Sequence, residues 1–171
     1  NLYRNSKSGR YYAFFKRGGK QIRRSLKTND KELAQRKLAD LRVNVAKLAT
    51  DAEIRKITFP ELSERWLNKQ KTTLKPSSHG RVNNCVDGLA PFFKEIPFRN
   101  IAAKHCENWA IKRGGKISAS SYKQERRVLV ALFKYAIRLG VVLDNIAEDL
   151  EHRKVESKKV EIPTQKQFEK L

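Results

Sequence analysis

Gln21 and Arg23 stand two residues apart in the run Lys20-Gln21-Ile22-Arg23-Arg24-Ser25-Leu26, where a period of two sets Ile22, Arg24 and Leu26 on one side and Gln21, Arg23 and Ser25 on the other. Alternation with a period of two marks a strand, and residues two apart leave it on the same face. A carboxamide and a guanidinium each carry paired hydrogen-bonding atoms in one plane, a geometry that fits the edges of adenine and guanine. In the run Tyr11 to Lys16 the expected placement is Tyr11, Ala13 and Phe15 inward and Tyr12, Phe14 and Lys16 outward. The expected outward face therefore joins Tyr12, Phe14, Lys16, Gln21, Arg23 and Ser25, with Arg4 added from residues 2–4. Lys7, Arg17, Lys20 and Lys27 fall in or beside turns and suit phosphate oxygens.

The charge of the chain points to the same kind of partner. Its 171 residues hold 38 Lys plus Arg against 18 Asp plus Glu, a net charge of +20. A folded protein with that excess repels itself, and a polyanion relieves the repulsion while each neutralised phosphate releases counterions. Residues 1–27 carry nine basic residues and no acid; Asp30 is the first. That imbalance weighs against the plain alternative, a solvated cationic face with two exposed aromatics. A membrane surface fits less well, because there is no long apolar run, no strongly basic amphipathic helix and no lipidation motif. Double-stranded DNA is the expected partner, and no membrane.

Other chemistries find little support. Cys85 and Cys106 sit on apolar faces of expected helices and read as buried free thiols in a reducing cytosol. Two cysteines and three scattered histidines do not make a zinc site. His79, His105 and His152 read as surface or capping residues. No metal, cofactor or catalytic residue is assigned. Hydrophobic residues make up 39% of the chain, enough for folded cores and too many for a basic tail. The sequence contains no Met and shows no signal peptide, so it is expected to be one piece of a longer protein.

The elements that must hold these groups fall into two modules. Strands are expected at 2–4, 11–16 and 20–26, with turns at 6–9 and at Gly18-Gly19. Asn29 with Glu32 fits a capping box, and Ala34, Leu38, Leu41, Val45, Leu48 and Ala52 form the apolar stripe of a helix that covers the sheet. From Thr58 the pattern is helical throughout. Thr58 with Glu61 opens a helix burying Leu62, Trp66 and Leu67. Lys75-Pro76-Ser77-Ser78 starts a second, with Val82, Cys85, Val86, Leu89 and Phe93 inward, and Pro91 is a candidate kink or stop. A third carries Ala103, Cys106, Trp109 and Ala110 up to Gly114-Gly115. The fourth begins at 118–121, buries Tyr122, Leu129, Leu132, Phe133 and Ala136, and ends at Gly140. The expected class is α+β: a three-stranded antiparallel sheet packed on one helix (residues 1–57), then a separate all-α four-helix domain (58–150). Residues 151–162 read as a polar linker, and Thr164 with Gln167 as the start of one more helix.

The order of these features resembles the phage-integrase type of tyrosine recombinase. Tyr11-Tyr12 … Gly19-Lys20 … Ile22-Arg23-Arg24-Ser25-Leu26-Lys27-Thr28 followed by a helix looks like the arm-type-site binding domain of that family. Thr58-Phe59-Pro60-Glu61-Leu62 … Trp66-Leu67 looks like the opening of its core-binding domain. Ser118-Ala119-Ser120-Ser121-Tyr122 … Leu129 … Leu132-Phe133-Lys134-Tyr135-Ala136 … Gly140 … Asp144-Asn145 is similar to the last long helix of that domain and its exit. Two positions depart from the family pattern: Ile146 follows Asn145 where the family has proline, and Arg126 occupies a place that is commonly apolar.

The resemblance implies a parent enzyme that cuts DNA with a tyrosine hydroxyl, assisted by arginines and a histidine, without a high-energy cofactor. It places that chemistry in a C-terminal domain. Residues 151–171 would be a linker and the truncated start of that domain, and Tyr3, Tyr11, Tyr12, Tyr122 and Tyr135 are packing residues. It also implies self-association of the full-length parent on DNA and a cytoplasmic, nucleoid-associated setting in bacteria. In the helical module two helices would face crossover-site DNA. Ser77, Ser78 and Arg81 open one of them, and Lys116, Ser120, Ser121, Lys123, Gln124 and Arg127 gather at the start of the other. Solvated helix surfaces are the alternative for each. For the whole chain, a DNA-binding fragment of a site-specific recombinase competes with a stand-alone DNA-binding regulator, such as an excision or transcription factor, and with an RNA-binding protein.

Overall fold

The computed structural model describes residues 1–17, 20–49, 54 and 56–154. Three strands, β1 (Leu2–Arg4), β2 (Tyr11–Arg17) and β3 (Lys20–Ser25), form an antiparallel meander in the order β1-β2-β3. The register pairs Tyr3 with Tyr12, Tyr12 with Ser25, Phe14 with Arg23 and Lys16 with Gln21. Asn5 shapes the first turn, its side-chain oxygen accepting from the backbone N–H of Lys7 and Ser8. Gly9 completes that turn at φ +66, a backbone conformation open to glycine at little cost. Gly18 and Gly19, the expected second turn, lie outside the described residues.

Helix α1 (Lys31–Ala46) lies on one face of the sheet, and Ala13 and Leu26 meet Ala34 and Leu38 there. Leu2, Tyr11, Phe15 and Leu41 pack around this small core. The N-cap is Asp30 and not the expected Asn29, with Asp30 Oδ1 accepting from Leu33 N at 2.6 Å. Lys27 at φ 52 turns the chain, and Thr28 Oγ1 accepts from Asp30 N, so the carboxylate is the group that reaches the free N–H donors. The helix also stops earlier than its stripe suggested. It ends at Ala46, and Leu48 turns instead into a cleft against the second module. Ala52 lies outside the described residues.

Among the described residues four long helices follow: α2 (Phe59–Gln70), α3 (Pro76–Phe93), α4 (Ala103–Lys112) and α5 (Ala119–Arg138). They enclose a second core in which Phe59 stacks on Phe93 and Phe98, and Phe98 meets Phe133. The expected apolar stripes turn inward except at Ala103, which is exposed at the start of α4, and Cys85 and Cys106 are buried free thiols within them. Helix α3 continues past Pro91 to Phe93, because Pro91 is exposed and close to the last turn. Both halves of the Thr58–Glu61 capping box are present, with Glu61 Oε2 accepting from Thr58 N at 2.7 Å. Thr58→Ala removes one of these reciprocal bonds and is expected to cost about 1 kcal/mol in urea unfolding.

One of the two departures from the family pattern, Arg126, acquires a physical reason after α5; nothing in the structure explains Ile146. Arg126 is buried, and its guanidinium donates to the carbonyls of Leu150 (2.9 Å) and Glu148 (2.8 Å). Asn145 Nδ2 donates to Val130 O at 3.0 Å, and Asn145 Oδ1 accepts from Ala147 N. Side-chain hydrogen bonds thus bind the exit segment back onto α5. Residues 155–171, including the expected helix at Thr164, lie outside the described residues.

Candidate nucleic-acid interface

The sheet has one face under α1 and one that no described element covers. By the strand register, Tyr3, Tyr12, Phe14, Lys16, Gln21, Arg23 and Ser25 share the open face. Lys16, Gln21, Arg23, Ser25 and Tyr3 are exposed, and Tyr12 and Phe14 are partly covered. What covers these two rings is Arg23: its guanidinium carbon lies 4.7 Å from the centroid of Tyr12 and 5.5 Å from that of Phe14. Such cation–ring contacts are worth about 0.5–1 kcal/mol at exposed sites. Tyr3, which alternation did not single out, meets Phe14 edge-on at 6.0 Å. A three-residue strand is too short to reveal its own facing, and only the register with β2 assigns Tyr3 to this surface.

The dimensions suit a groove. Residues two apart along a strand are separated by about 7 Å and neighbouring strands by about 4.8 Å. The face from the Tyr12 row to the Lys16 row is then about 14 Å long and about 10 Å across. A B-DNA major groove is about 12 Å wide and admits strands as well as helices. Gln21 and Arg23 would lie about two base steps apart along one strand of DNA. No carboxylate stands among the seven residues of the face.

Not every expected residue belongs there. Arg4 pairs with Tyr11 across β1 and β2, so it leaves on the helix-covered side, at the sheet edge. It lies over the Tyr11 ring at 5.9 Å and donates to Gly9 O, which makes it a brace for the first turn. Lys7 and Lys27 are exposed at the turn and strand end where phosphate contacts were expected. Arg17 and Lys20 have described backbones in the β2–β3 ladder, but their side chains lie outside the described part of the structure.

The helical module brings part of its expected set together. A cleft of about 430 Å³ between α3 and α5 is lined by Ser78 and Arg81 from one helix and Gln124 and Arg127 from the other, over Trp66, Val82 and Cys85. Ser77, Lys116, Ser120 and Lys123 are exposed. On α5, Ser120, Lys123, Gln124 and Arg127 recur at helical spacing along one side. Ser121 is separated from them: its backbone N–H and its hydroxyl both meet the Ser118 N-cap hydroxyl. Helix α3 has no side-chain cap at Lys75, so its first N–H groups are available near Ser77 and Ser78.

The thiols do not offer a second chemistry. Burial pushes Cys106 up to about 12, with Glu107 adding to the shift, and burial raises Cys85 as well. Neither is a ready thiolate. The histidines take local roles: His79 Nε2 meets Leu67 O, and His105 Nδ1 accepts from Ala102 N. Among the described residues no group of three or more His, Cys, Asp or Glu side chains could hold a metal. No described helix is long and apolar enough to cross a membrane.

Comparison with known families agrees with this two-part architecture. Residues 1–45 match the phage integrase N-terminal domain, which covers the sheet and nearly all of α1. Residues 58–112 match the phage integrase N-terminal SAM-like domain, from the Thr58 cap to the end of α4. No curated protein and no solved structure matches the chain. With both modules present in that order, the chain belongs to the phage integrases and carries their N-terminal domain followed by their SAM-like domain.

Proposed function

We propose that this chain is the DNA-gripping part of a site-specific tyrosine recombinase, with two modules that engage two different duplex sites. Residues 1–57 bind one site through the open sheet face, and residues 58–150 bind the other through α3 and α5. The attack of a tyrosine hydroxyl on the phosphodiester falls to a catalytic domain of the parent protein, whose copies associate on the DNA. The observation that carries this reading is the sheet face itself: acid-free, cationic, and uncovered by any described element. The integrase match to both modules favours a recombinase over a stand-alone regulator.

Within the first module the expected division of labour is between base and phosphate. Gln21 and Arg23 make paired hydrogen bonds to base edges, while Lys7, Arg17, Lys20 and Lys27 meet phosphates. A duplex enriched by this chain from a random library supplies the test. Arg23→Ala is expected to weaken binding to that duplex by about 1–3 kcal/mol and to relax its sequence preference. Lys20→Ala is expected to lower affinity for all duplexes alike and to reduce the salt slope by about 1. If both variants bind the enriched duplex as the parent chain does, the sheet is not the reading surface. A duplex RNA competitor of the same sequence should fail to displace the DNA, since A-form geometry closes the major groove to side chains.

A further inference from the structure

Tyr12 and Phe14, two of the residues expected to touch DNA, have a partner within the sheet itself. Their rings lie under Arg23, at 4.7 and 5.5 Å from its guanidinium carbon, and Phe14 is directly opposite Arg23 in the ladder. Tyr3 closes the far side by meeting Phe14 at an interplanar angle of 90°. We propose that Tyr12 and Phe14 are positioning residues that hold the Arg23 guanidinium ready to read a single guanine. The proposal rests on the sheet reading of the preceding section and names the base and the residues that make its recognition selective.

The argument starts from what arginine loses on binding. Its long side chain has many rotamers, and immobilising it opposes binding unless the free protein has already restricted it. A ring surface restricts it without consuming its hydrogen bonds. Contact with an aromatic face uses the flat side of the guanidinium, and the five N–H donors lie in its plane. Those donors therefore remain free for the O6 and N7 acceptors of guanine, the pair that arginine meets bidentately in the major groove. A carboxylate partner would have held the side chain equally well but would have occupied the same donors; the ion pair Arg113–Glu125 in the helical module shows that arrangement. The open face has rings in place of acids. Lysine could not substitute, because an ammonium presents a point charge without the planar fork.

The duplex enriched by the chain is the probe, with each guanine in turn replaced by 7-deazaguanine, which lacks the N7 acceptor. The parent chain is expected to lose about tenfold in affinity at one replaced guanine, and Arg23→Lys is expected to be insensitive to that replacement. Tyr12→Leu and Phe14→Leu keep apolar, strand-compatible side chains but remove the rings. Each is expected to lose most of the discrimination at that same guanine, and to add nothing further when combined with Arg23→Lys. Tyr12→Phe keeps a ring and is expected to retain the discrimination. Circular dichroism of each variant confirms that the sheet persists. If Arg23→Lys binds and discriminates as the parent does, the sheet reading fails, and this proposal with it. If Arg23→Lys loses discrimination but the leucine variants keep it, or lose it at a different base pair additively, the sheet reading stands and the positioning role is wrong.

Discussion

Arg113→Ala is expected to lower the unfolding free energy of the chain by about 3 kcal/mol. The reason lies with Glu125, whose side chain is only 6% exposed. Its two oxygens accept from Arg113 Nε at 3.0 and 2.8 Å and from Arg113 Nη2 at 2.7 Å, and Trp109 Nε1 adds a bond of 3.3 Å. The carboxylate raises the Arg113 pKa mainly through these hydrogen bonds. Removing the guanidinium strands a buried charge beside one indole N–H, and breaking such a pair costs about 3–5 kcal/mol. The lower end applies because Arg113 is 34% exposed and water can follow it in. Combining Arg113→Ala with Glu125→Gln should recover much of the loss, since the orphaned charge is then gone. Urea unfolding followed by circular dichroism measures both. An Arg113→Ala protein as stable as the parent would show that the pair contributes little to folding.

This network also indicates what the sequence could and could not disclose. Glu125 and Arg126 are neighbours on a helix whose apolar stripe was legible, and both are charged, so the stripe pattern assigns neither to the interior. Both are nevertheless buried, because Arg113 and the carbonyls after α5 satisfy them. Partners 12 to 24 residues away in sequence leave no local periodic signal. Gly88 belongs to the same group: a Cβ there would meet Arg113 Nη2 at 2.6 Å and Glu125 Oε1 at 2.7 Å. By contrast, the capping box at Thr58, the stripes of α2 to α5 and the two faces of β2 and β3 all follow from spacing alone. Those are short-range rules, fixed by helical or pleated geometry. The candidate DNA face was legible for the same reason, except at β1, where three residues leave the facing open and Arg4 and Tyr3 exchange places. Asn29 and Asp30 are both good capping residues, and adjacency in sequence does not decide which side chain reaches the free N–H groups.

The contact between the modules was the least legible feature, and it supports the second large effect. Gly140→Ala is expected to destabilise the chain and to loosen one module from the other. Gly140 follows α5 at φ +71, where an alanine costs about 1–2 kcal/mol from backbone conformation alone. Space is the greater obstacle. A Cβ at this position would lie 2.4 Å from the carbonyl oxygen of Lys47 and 2.7 Å from the backbone nitrogen of Ala49, neither of which is the movable end of a side chain. The same glycine accepts a hydrogen bond from Ala49 N at 3.0 Å. Beside it Arg24, on the covered side of β3, forms an ion pair with Asp144, and Ile22 and Leu48 line a cleft of about 220 Å³ with Phe133 and Val141. Relief of the overlap requires the segment after α1 to move away from α5, which breaks the hydrogen bond and opens the cleft. The thermal midpoint is expected to fall by about 2–4 °C for each kcal/mol lost. Asp144→Asn, at a half-exposed pair, should cost at most about 1 kcal/mol. Two modules that engage two sites on one DNA also gain affinity from their fixed separation. Gly140→Ala should therefore bind a duplex carrying both sites less tightly while binding each single site as before. Spin labels at Ser25 and Lys134, read by pulsed electron resonance, should report a broader distance distribution in the variant; an unchanged distribution together with an unchanged melting temperature would mean that Gly140 does not hold the modules together.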